Sequence, residues 1–340
     1  MYATVMHGPG DVRNERVEDP TILKPTDAII KLSATCICGS DLWPYRGLQP
    51  QDGPTHMGHE YCGVVVEVGS EVRTIKPGQF VVGSFCLSDN TCPHCRYGFQ
   101  SSCVSREFMT GAQAPYARVP LADGTLVASD EMPDADMIPH MLATSDVLGT
   151  GWYGAVAANV REGGTVVVVG DGAVGLMGVM AANQLGAGRI IAMSRHETRS
   201  NLAREFGATE IVEERGEDGI GRIMDLTDGV GADSVIEAVG MEQSMQQAMG
   251  VCRPGGSIGY VGVPHGVNFD GQQLFFRQQR MLGGPAPVRR FLPDLIDRVL
   301  QGKIQPGKVF DLTLPIAEVA EGYKAMDERR AIKTMLKVEE

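Results

Sequence analysis

The chain has 340 residues, of which 43% are hydrophobic and 21% are charged, and its formal net charge is −12. This composition is typical of a globular protein of about two domains, and it excludes a disordered or a collagen-like chain. The negative charge argues against nucleic acid or an anionic membrane surface as the main partner.

The first part of the chain, up to about residue 145, is predicted to be rich in β-structure. The N-terminal residues 1–8 have neither the charged nor the apolar region of a signal peptide, and no later stretch predicts a membrane span. We therefore expect a cytoplasmic protein. Strands are predicted over residues 28–32, 63–68 and 79–82, with turn signals between them. This half predicts a β-barrel or an irregular β domain.

Two motifs of this half contain residue types that bind zinc. Cys38 follows a predicted strand in Cys36-Ile37-Cys38-Gly39-Ser40-Asp41, and His59 precedes another in Gly58-His59-Glu60-Tyr61. A catalytic zinc has three protein ligands and an open fourth position, and Cys38 and His59 could supply two of the three. Each motif alone is a weak signal, since a lone histidine is more often a hydrogen-bonded core residue.

A cysteine-rich loop follows at residues 89–103. Cys92 and Cys95 form a CxxC pair, and Cys103 follows after seven further residues. This spacing suits a tetrahedral zinc site in a compartment where disulfides are rare. Asp89 is a candidate for the fourth ligand.

Other interpretations of this loop remain open. Cys86 and His94 are rivals of Asp89 for the fourth position. A redox-active CxxC pair is an alternative, although this pair lies on no strand-to-helix turn. Three free thiols in one loop are a weaker interpretation, because exposed thiols are reactive.

From about residue 163 predicted strands and helices alternate. The run Thr165–Gly170 is continuously apolar, which is typical of a strand buried on both faces. Strands are predicted over residues 165–170, 189–193, 210–212, 234–239 and 257–262. Helices are predicted over residues 173–186, 197–206, 219–227 and 243–252. Alternation with short links predicts a doubly wound parallel sheet.

The first strand-to-helix turn of this region reads Gly170-Asp171-Gly172-Ala173-Val174-Gly175. A GxGxxG motif between a buried strand and a helix predicts a dinucleotide site. Its glycines allow a tight turn and close approach to a pyrophosphate at the positive end of the helix. A plain glycine-rich turn is the alternative, and the strand and helix on either side argue against it.

The end of the second strand of this region indicates the coenzyme. NAD sites usually have an acidic residue there, which binds the ribose hydroxyls. Here the strand is followed by Ser194 and Arg195, and Arg199 lies four residues further on. Serine and arginine bind a phosphate, so we expect NADP(H). In the alternative, Glu197 binds the ribose of NAD and Arg195 is a solvated residue at a helix start.

The C-terminal part is too short to fold alone. Helices are predicted over residues 294–301 and 317–327, and a closing strand over residues 333–338. We expect this tail to pack on the first domain. The predicted domains are residues 1–149 together with 287–340, with a metal-binding lobe at 86–104, and a nucleotide-binding domain at 150–286.

Together these motifs resemble the zinc-dependent medium-chain alcohol dehydrogenase family over essentially the whole chain. The matching features, in order, are the CxCGSD motif at Cys36, the GHE motif at Gly58, the cysteine-rich loop, an aspartate within Thr144–Gly151, and the Rossmann half. The resemblance implies a GroES-like β-barrel catalytic domain, a Rossmann domain with a doubly wound parallel sheet, and an active site in the cleft between them.

The resemblance also implies roles for individual residues. Cys38, His59 and Asp146 match the ligands of the catalytic zinc, with aspartate where many relatives have cysteine. Glu60 matches a carboxylate behind the zinc that can approach the metal. Ser40 matches the hydroxyl that transfers the substrate proton.

Further positions follow from the same resemblance. Asp89, Cys92, Cys95 and Cys103 match the structural zinc lobe, in which the first ligand is usually cysteine. Val263, in the loop Gly262-Val263-Pro264, is expected near the nicotinamide.

Two tryptophans are candidates for the substrate pocket. Trp43 replaces a histidine that continues the proton relay in many relatives, and an indole cannot relay a proton at neutral pH. Trp43 is therefore either a wall of the substrate pocket or a packed loop residue. Trp152 is a second candidate for that pocket.

We expect a zinc-dependent oxidoreductase that exchanges a hydride between NADP(H) and an alcohol, aldehyde or ketone. The alternatives are an NAD-dependent polyol or threonine-type dehydrogenase and, less well supported, a non-catalytic NADPH-binding sensor. A zinc-free quinone or enone reductase is disfavoured by the zinc-ligand set. The resemblance further implies a homodimer or homotetramer.

Overall fold

A computed structural model describes residues 1–338. By the density of contacts the chain divides into two compact units. The first comprises Met1–Asp146 and the described residues from Pro287 onward, and the second comprises Val147–Ala286. The predicted domain change at residues 149–150 falls inside an unbroken helix, Val147–Ala157. Because that helix belongs wholly to the second unit, the change lies at residues 146–147 instead.

The strands range from two to nine residues in length. In chain order they are β1 Tyr2–Gly8, β2 Asp11–Arg16, β3 Ala28–Cys36, β4 Thr55–His56, β5 Tyr61–Val68, β6 Phe80–Gly83, β7 Cys86–Leu87, β8 Glu107–Phe108, β9 Tyr116–Val119, β10 Leu126–Ala128, β11 Thr165–Val169, β12 Arg189–Met193, β13 Glu210–Val212, β14 Ala232–Glu237, β15 Cys252–Tyr260, β16 Arg280–Gly283, β17 Leu312–Pro315 and β18 Thr334–Lys337.

The longer helices lie from residue 138 onward. In chain order the helices are α1 Leu42–Tyr45, α2 Pro93–Arg96, α3 Ala122–Thr125, α4 Ile138–Thr144, α5 Val147–Ala157, α6 Ala173–Gln184, α7 Glu197–Glu205, α8 Gly216–Leu226, α9 Glu242–Val251, α10 Gly271–Arg277, α11 Val288–Leu300 and α12 Val319–Asp327. None of those within residues 1–338 combines the length and the apolar composition that a bilayer-spanning helix needs.

The first unit is built on a mixed sheet with the strand order β10-β6-β5-β3-β18-β17, and β9 also pairs with β3. The central pair β3–β5 is antiparallel, with Thr35 opposite Tyr61. Its buried core includes Ile30, Leu32, Val65 and Val81. The C-terminal strand β18 pairs with the end of β3, so the tail of the chain completes this sheet.

The second unit is a parallel sheet with the order β13-β12-β11-β14-β15-β16. This is the order of a Rossmann sheet, in which the strand order reverses beside the first strand. The valines of β11 are buried between β12 and β14, as expected for a strand covered on both faces. The predicted α/β class with a β-rich first domain is confirmed.

Three elements of the second unit were not predicted: α5, α10 and β16. Helix α5 contains three glycines and is buried over most of its length, so it has no amphipathic period that a sequence pattern could reveal. Strand β16 is short and partly exposed. In the first unit, α11 begins at Val288, six residues before the helix predicted there.

Candidate functional site

Four side chains of the first unit form a group that we name the dispersed cluster: Cys38, His59, Glu60 and Asp146. One ligand atom from each lies within 4.8 Å of the others. The Sγ of Cys38 is 3.8 Å from Oδ2 of Asp146, and Nε2 of His59 is 3.4 Å from the same oxygen. These atoms are close enough together to surround one metal ion.

The antiparallel pair β3–β5 positions the first members of this cluster. Cys38 comes two residues after β3 and precedes a 3₁₀ turn, Gly39–Asp41, and its N–H donates to Oδ2 of Asp41 at 3.0 Å. His59 and Glu60 directly precede β5. Gly58, at φ +103°, must be glycine, because a Cβ there would lie 2.2 Å from the backbone nitrogen of Gln113.

Asp146 reaches the cluster from a different part of the chain. It lies between α4 and α5, and it is buried. Helix α4 contacts both β3 and β5, the strands that carry the other three members. The third predicted ligand is therefore brought to Cys38 and His59 by packing between α4 and the sheet.

A buried lysine stands behind the cluster. Nζ of Lys333 donates to Oε1 of Glu60 at 2.6 Å and to the backbone oxygen of Ile37 at 3.1 Å. Both side chains of the pair are 1% exposed. Burial opposes the charge of Lys333, but the negative groups around it raise its pKa well above the ordinary value. Lys333 thus holds one oxygen of Glu60 in place.

The dispersed cluster has a strongly negative environment. Burial by itself lowers the pKa of His59, but the negative charges of Cys38 and Asp41 outweigh it and raise that pKa well above the usual range. Nδ1 of His59 lies 3.6 Å from Oδ1 of Asp41. A carboxylate beside the second ring nitrogen is the arrangement that orients a metal-binding histidine.

A second group, which we name the loop cluster, consists of Asp89, Cys92, Cys95 and Cys103. One ligand atom of each lies within 4.8 Å of the others. The Sγ of Cys92 is 3.5 Å from that of Cys95 and 3.9 Å from that of Cys103, and the three thiols are free. Oδ1 of Asp89 is 3.6 Å from the Sγ of Cys95.

Backbone donors surround the loop cluster. The N–H groups of Thr91 and Cys92 donate to Oδ1 of Asp89, and those of Asp89 and Ser105 donate to the Sγ of Cys103. Backbone hydrogen bonds from Cys95 and Val104 lower the pKa of Cys92 to about 7. These donors favour the thiolate of Cys92, the form of cysteine that binds metal. Burial and the neighbouring thiols of Cys92 and Cys103 raise the pKa of Cys95.

The rivals of Asp89 lie outside this grouping within the part of the chain that the structure describes. His94 is exposed on α2, on the outside of the loop. Cys86 is buried in β7, and burial raises its pKa to about 12, which keeps it a neutral thiol.

In the second unit the glycine-rich turn connects β11 with α6. Gly172 is the N-cap of α6, and a Cβ at this position would meet open space. Gly175 must be glycine, since a Cβ there would lie 2.0 Å from the backbone oxygen of Gly170. Ala173 and Val174 form the first turn of the helix. The helix N-terminus is thus open to an anionic group.

The residues predicted to distinguish NADP from NAD lie at the end of β12. Ser194 is buried directly after the strand, Arg195 is exposed, and Arg199 is partly buried on α7. Both Ser194 and Arg199 contact Asp171 of the glycine-rich turn: Oγ of Ser194 donates to Oδ2 at 2.9 Å and Nη1 of Arg199 to Oδ1 at 3.3 Å. The alternative ribose ligand, Glu197, is exposed at the start of α7.

The remaining predicted residues are distributed over both units. Ser40 is exposed in the 3₁₀ turn that follows Cys38, and Trp43 is half-buried in α1. Trp152 is buried in α5 of the second unit. Val263 is 58% exposed in the loop after β15, and its backbone oxygen contacts Nδ1 of His265 at 2.7 Å.

Comparisons with known proteins agree with this arrangement. Residues 24–130 match the model of the alcohol dehydrogenase GroES-like domain, and residues 173–300 match that of the zinc-binding dehydrogenases. The zinc-type alcohol dehydrogenase B of Aspergillus flavus is 33% identical over all of this chain and 82% of its own length. The chain belongs to the zinc-type alcohol dehydrogenase family.

Further members of the family are similar over most of their length. The NADP-dependent isopropanol dehydrogenase of Clostridium beijerinckii is 30% identical, with 89% of this chain and 88% of the relative covered. The alcohol dehydrogenase TADH of Thermus sp. ATN1 superimposes with a TM-score of 0.91 at 30% identity, and each chain is fully covered. The resemblance and the fold inferred from it are confirmed, and the chain is an oxidoreductase of the alcohol dehydrogenase class.

The dispersed cluster fits the zinc ion that this alcohol dehydrogenase family implies. Its donors are a thiol, an imidazole and carboxylates, the ligands that zinc takes in proteins. Oε2 of Glu60 is buried and accepts no hydrogen bond from residues 1–338. A cation would satisfy this oxygen and would offset the negative charge around His59.

Sequence reasoning missed several residues that support this alcohol dehydrogenase site. Lys333 could have been found from the sequence, because it is a lysine at the start of the otherwise mostly apolar strand predicted over residues 333–338. Asp41 was part of a quoted motif but received no role. Gln113 donates to the backbone oxygen of Cys36 at 3.1 Å and accepts from the hydroxyl of Tyr323 at 3.3 Å, and nothing in the sequence marks either residue.

Proposed function

We propose that the chain is an NADP(H)-dependent alcohol dehydrogenase and carbonyl reductase. The observation that carries the coenzyme assignment is the group at the end of β12, where Ser194, Arg195 and Arg199 stand in place of an acidic residue. Arg215 brings a further positive charge to the end of β12. Its guanidinium donates to the backbone oxygen of Met193, the last residue of that strand, at 3.2 Å. A cluster of arginines in a chain of net charge −12 suits the 2′-phosphate of NADP.

We assign the catalytic zinc to Cys38, His59 and Asp146, with Glu60 behind them. Bound zinc supplies Lewis acidity toward the oxygen of the alcohol or carbonyl, and the nicotinamide exchanges the hydride. The thiolate of Cys38 and the carboxylate of Asp146 provide the negative charge that holds the ion. Asp41 orients the ring of His59 through Nδ1.

Alcohol oxidation releases one proton together with the hydride, and this proton needs a path to solvent. Ser40 is our candidate, since its hydroxyl is exposed in the turn that begins after Cys38. Trp43, three residues later, cannot continue a relay, because an indole only donates. We therefore propose that the proton passes from Ser40 directly to water, and that Trp43 belongs to the substrate pocket.

The other predicted sites complete the proposal. Asp89, Cys92, Cys95 and Cys103 would hold a structural zinc, with an oxygen in place of the usual fourth thiolate. The glycines of the first turn and the N-terminus of α6 would bind the pyrophosphate, and the exposed Val263 loop would lie at the nicotinamide. The eight free cysteines suit the reducing cytoplasm.

We further propose a homo-oligomer that forms through β16. This strand ends the parallel sheet, and in the described chain its outer edge has no partner strand. Leu282 on β16 and the nearby Phe275 and Phe276 of α10 are 46%, 75% and 77% exposed. Apolar side chains along a free edge favour pairing with a second copy. Light scattering should give at least a dimer, and a Leu282→Lys variant should shift it toward monomer.

The coenzyme and metal assignments share one experiment. Initial rates are measured with NADPH and with NADH over a panel of aldehydes and ketones, and the NADPH rate should be higher and should be lost after chelation. Secondary alcohols are the first oxidation substrates to test, since one relative is an isopropanol dehydrogenase. Arg195→Ser should lower kcat/KM for NADPH at least tenfold, whereas Arg222→Ser, an exposed arginine on α8, should not.

Other outcomes would overturn separate parts of the proposal. Equal or better rates with NADH would reject the phosphate site and leave the metal site intact. Oxidation of polyols or threonine with NAD, without carbonyl reduction by NADPH, would favour the alternative dehydrogenase. The absence of any turnover, with NADPH still bound, would favour the non-catalytic sensor.

A further inference from the structure

The glycine-rich turn carries a carboxylate that the dinucleotide motif does not require. Asp171 occupies the variable position between Gly170 and Gly172, and its side chain is 17% exposed. Both of its oxygens are engaged at the end of β12, Oδ2 by Ser194 and Oδ1 by Arg199. The backbone oxygen of Asp171 also accepts from Arg199, at 3.4 Å.

This contact brings an acidic group to a place where the sequence lacks one. In dinucleotide-binding folds, an acidic residue at the end of the second strand accepts hydrogen bonds from the ribose hydroxyls of NAD. That position is Ser194 in this chain, and the Oδ2 of Asp171 lies 2.9 Å from its hydroxyl. A carboxylate is therefore present at the ribose position, although it comes from the neighbouring turn.

The same group of side chains is also basic. Burial lowers the pKa of Arg215, while the charge of Asp171 raises it and the charge of Arg195 lowers it further, so the three groups lie within one another's field. Arginines favour the 2′-phosphate of NADP, which carries a charge of about −1.5 to −2. The carboxylate of Asp171 repels that phosphate and neutralises part of the charge of Arg199.

We propose that Asp171 is a coenzyme-specificity residue that keeps NAD(H) in use beside NADP(H). It accepts a hydrogen bond from the adenosine ribose hydroxyl when the 2′-phosphate is absent, and it opposes the phosphate when it is present. This inference rests on the proposed function in one respect only, namely that the adenosine ribose binds at the end of β12. It does not require that NADPH be the better coenzyme.

The test is the nearly isosteric variant Asp171→Asn, because an asparagine oxygen can still accept from Ser194. Binding of 2′-AMP and 5′-AMP is measured by calorimetry, which needs no turnover. We expect 2′-AMP to bind about tenfold more tightly to the variant, through loss of one like charge. The ratio of kcat/KM for NADPH to that for NADH should rise by at least the same factor. An unchanged ratio and unchanged 2′-AMP affinity would overturn the inference.

Two further variants identify the carboxylate and its mode of action. Glu197→Gln removes the exposed rival at the start of α7, and Asp225→Asn, an exposed aspartate on α8, controls for net charge. A shift in the coenzyme ratio with Glu197→Gln and not with Asp171→Asn would overturn the inference. In an Arg199→Gln background, Asp171→Asn should still raise the ratio. If its effect vanished there, Asp171 would act only by orienting Arg199, and the direct role would be wrong.

Failure of this inference is distinguishable from failure of the proposed coenzyme. The proposed function concerns the preference of the natural chain and its dependence on Arg195. The inference concerns the change in that preference when Asp171 loses its charge. A chain that prefers NADH, with a ratio that still rises in Asp171→Asn, would reject the former and support the latter. Melting temperatures within a few degrees of the natural chain ensure that the variants are folded.

Discussion

The dispersed cluster and the loop cluster belong to the same unit and contain similar ligands, but they are built in opposite ways. The dispersed cluster joins residues more than 100 positions apart, whereas the loop cluster lies within residues 89–103. A buried lysine and a buried aspartate surround the former, and backbone N–H groups surround the latter.

This difference shows what each cluster contributes. Backbone donors lower the pKa of Cys92 and orient Asp89, and all four ligands come from one short segment, so a bound metal would cross-link that segment. The dispersed cluster is held by the sheet, by α4 and by Lys333, whose contacts do not involve the ligand atoms of Cys38, His59 or Asp146. We therefore expect the loop cluster to govern stability through its metal and the dispersed cluster to govern activity.

The largest expected effect is on turnover at the dispersed cluster. Cys38→Ser should lower kcat/KM for carbonyl reduction by roughly 10³-fold, about 4 kcal/mol, because the ion loses its thiolate ligand. Metal analysis should show loss of one zinc per chain while the loop cluster keeps its own. Cys252→Ala, a buried thiol of the second unit, should leave the rate unchanged. A Cys38→Ser rate within tenfold of the natural chain would contradict the zinc assignment.

The next effect concerns the buried ion pair behind the dispersed cluster. Lys333→Met should lower the free energy of unfolding by about 3–5 kcal/mol, since it leaves Glu60 buried without its partner. Urea unfolding measures this change. The double variant Glu60→Gln/Lys333→Met should recover most of the loss, because it removes the unpaired charge as well. A single-variant loss below about 1 kcal/mol would mean that Lys333 does not stabilise Glu60.

At the loop cluster we expect an effect on stability with little effect on turnover. Cys95→Ser should remove the structural metal and lower the free energy of unfolding by more than about 3 kcal/mol, because the loop is closed by that ion. The kcat of the folded enzyme should change less than threefold. Calorimetry and steady-state rates on one sample test both statements, again with Cys252→Ala as the matched control. A fall in kcat as large as that of Cys38→Ser would remove the distinction between the clusters.

The smallest expected effect concerns the oxygen ligand of the loop cluster. Asp89→Asn keeps an oxygen that can accept from Cys92 but removes the charge, and zinc affinity should fall roughly tenfold. Competition with a chromophoric chelator measures this affinity. Asp123→Asn, an aspartate that caps Arg73 and Thr74 in another loop, should leave it unchanged. Equal affinities for Asp89→Asn and the natural chain would favour a different fourth ligand.

Much of the fold was predictable because its signals are local. The valine run of β11, the strand Arg189–Met193 and the following helices are regular, and the second unit has the predicted alternation. Helix α5 was missed because it is buried nearly all round, and β16 because a four-residue edge strand carries little pattern. A buried helix has no amphipathic period to detect.

The candidate sites divide in the same manner. The residues of the loop cluster are marked by their spacing alone, since a CxxC pair and a nearby third cysteine must lie close together. Asp146 entered only through the family resemblance, and neither Lys333 nor Asp41 was given a role. Their importance depends on which strands pair and on what those strands bury.

By itself the sequence determined the α/β class, the zinc-type alcohol dehydrogenase family, the glycine-rich turn and the loop cluster. These depend on residue type and spacing over short distances. Only the tertiary structure decided that Lys333 reaches Glu60 and that Asp171 supplies a carboxylate to the end of β12. Contacts between residues far apart in the chain depend on strand pairing and burial, and no local pattern encodes their distances.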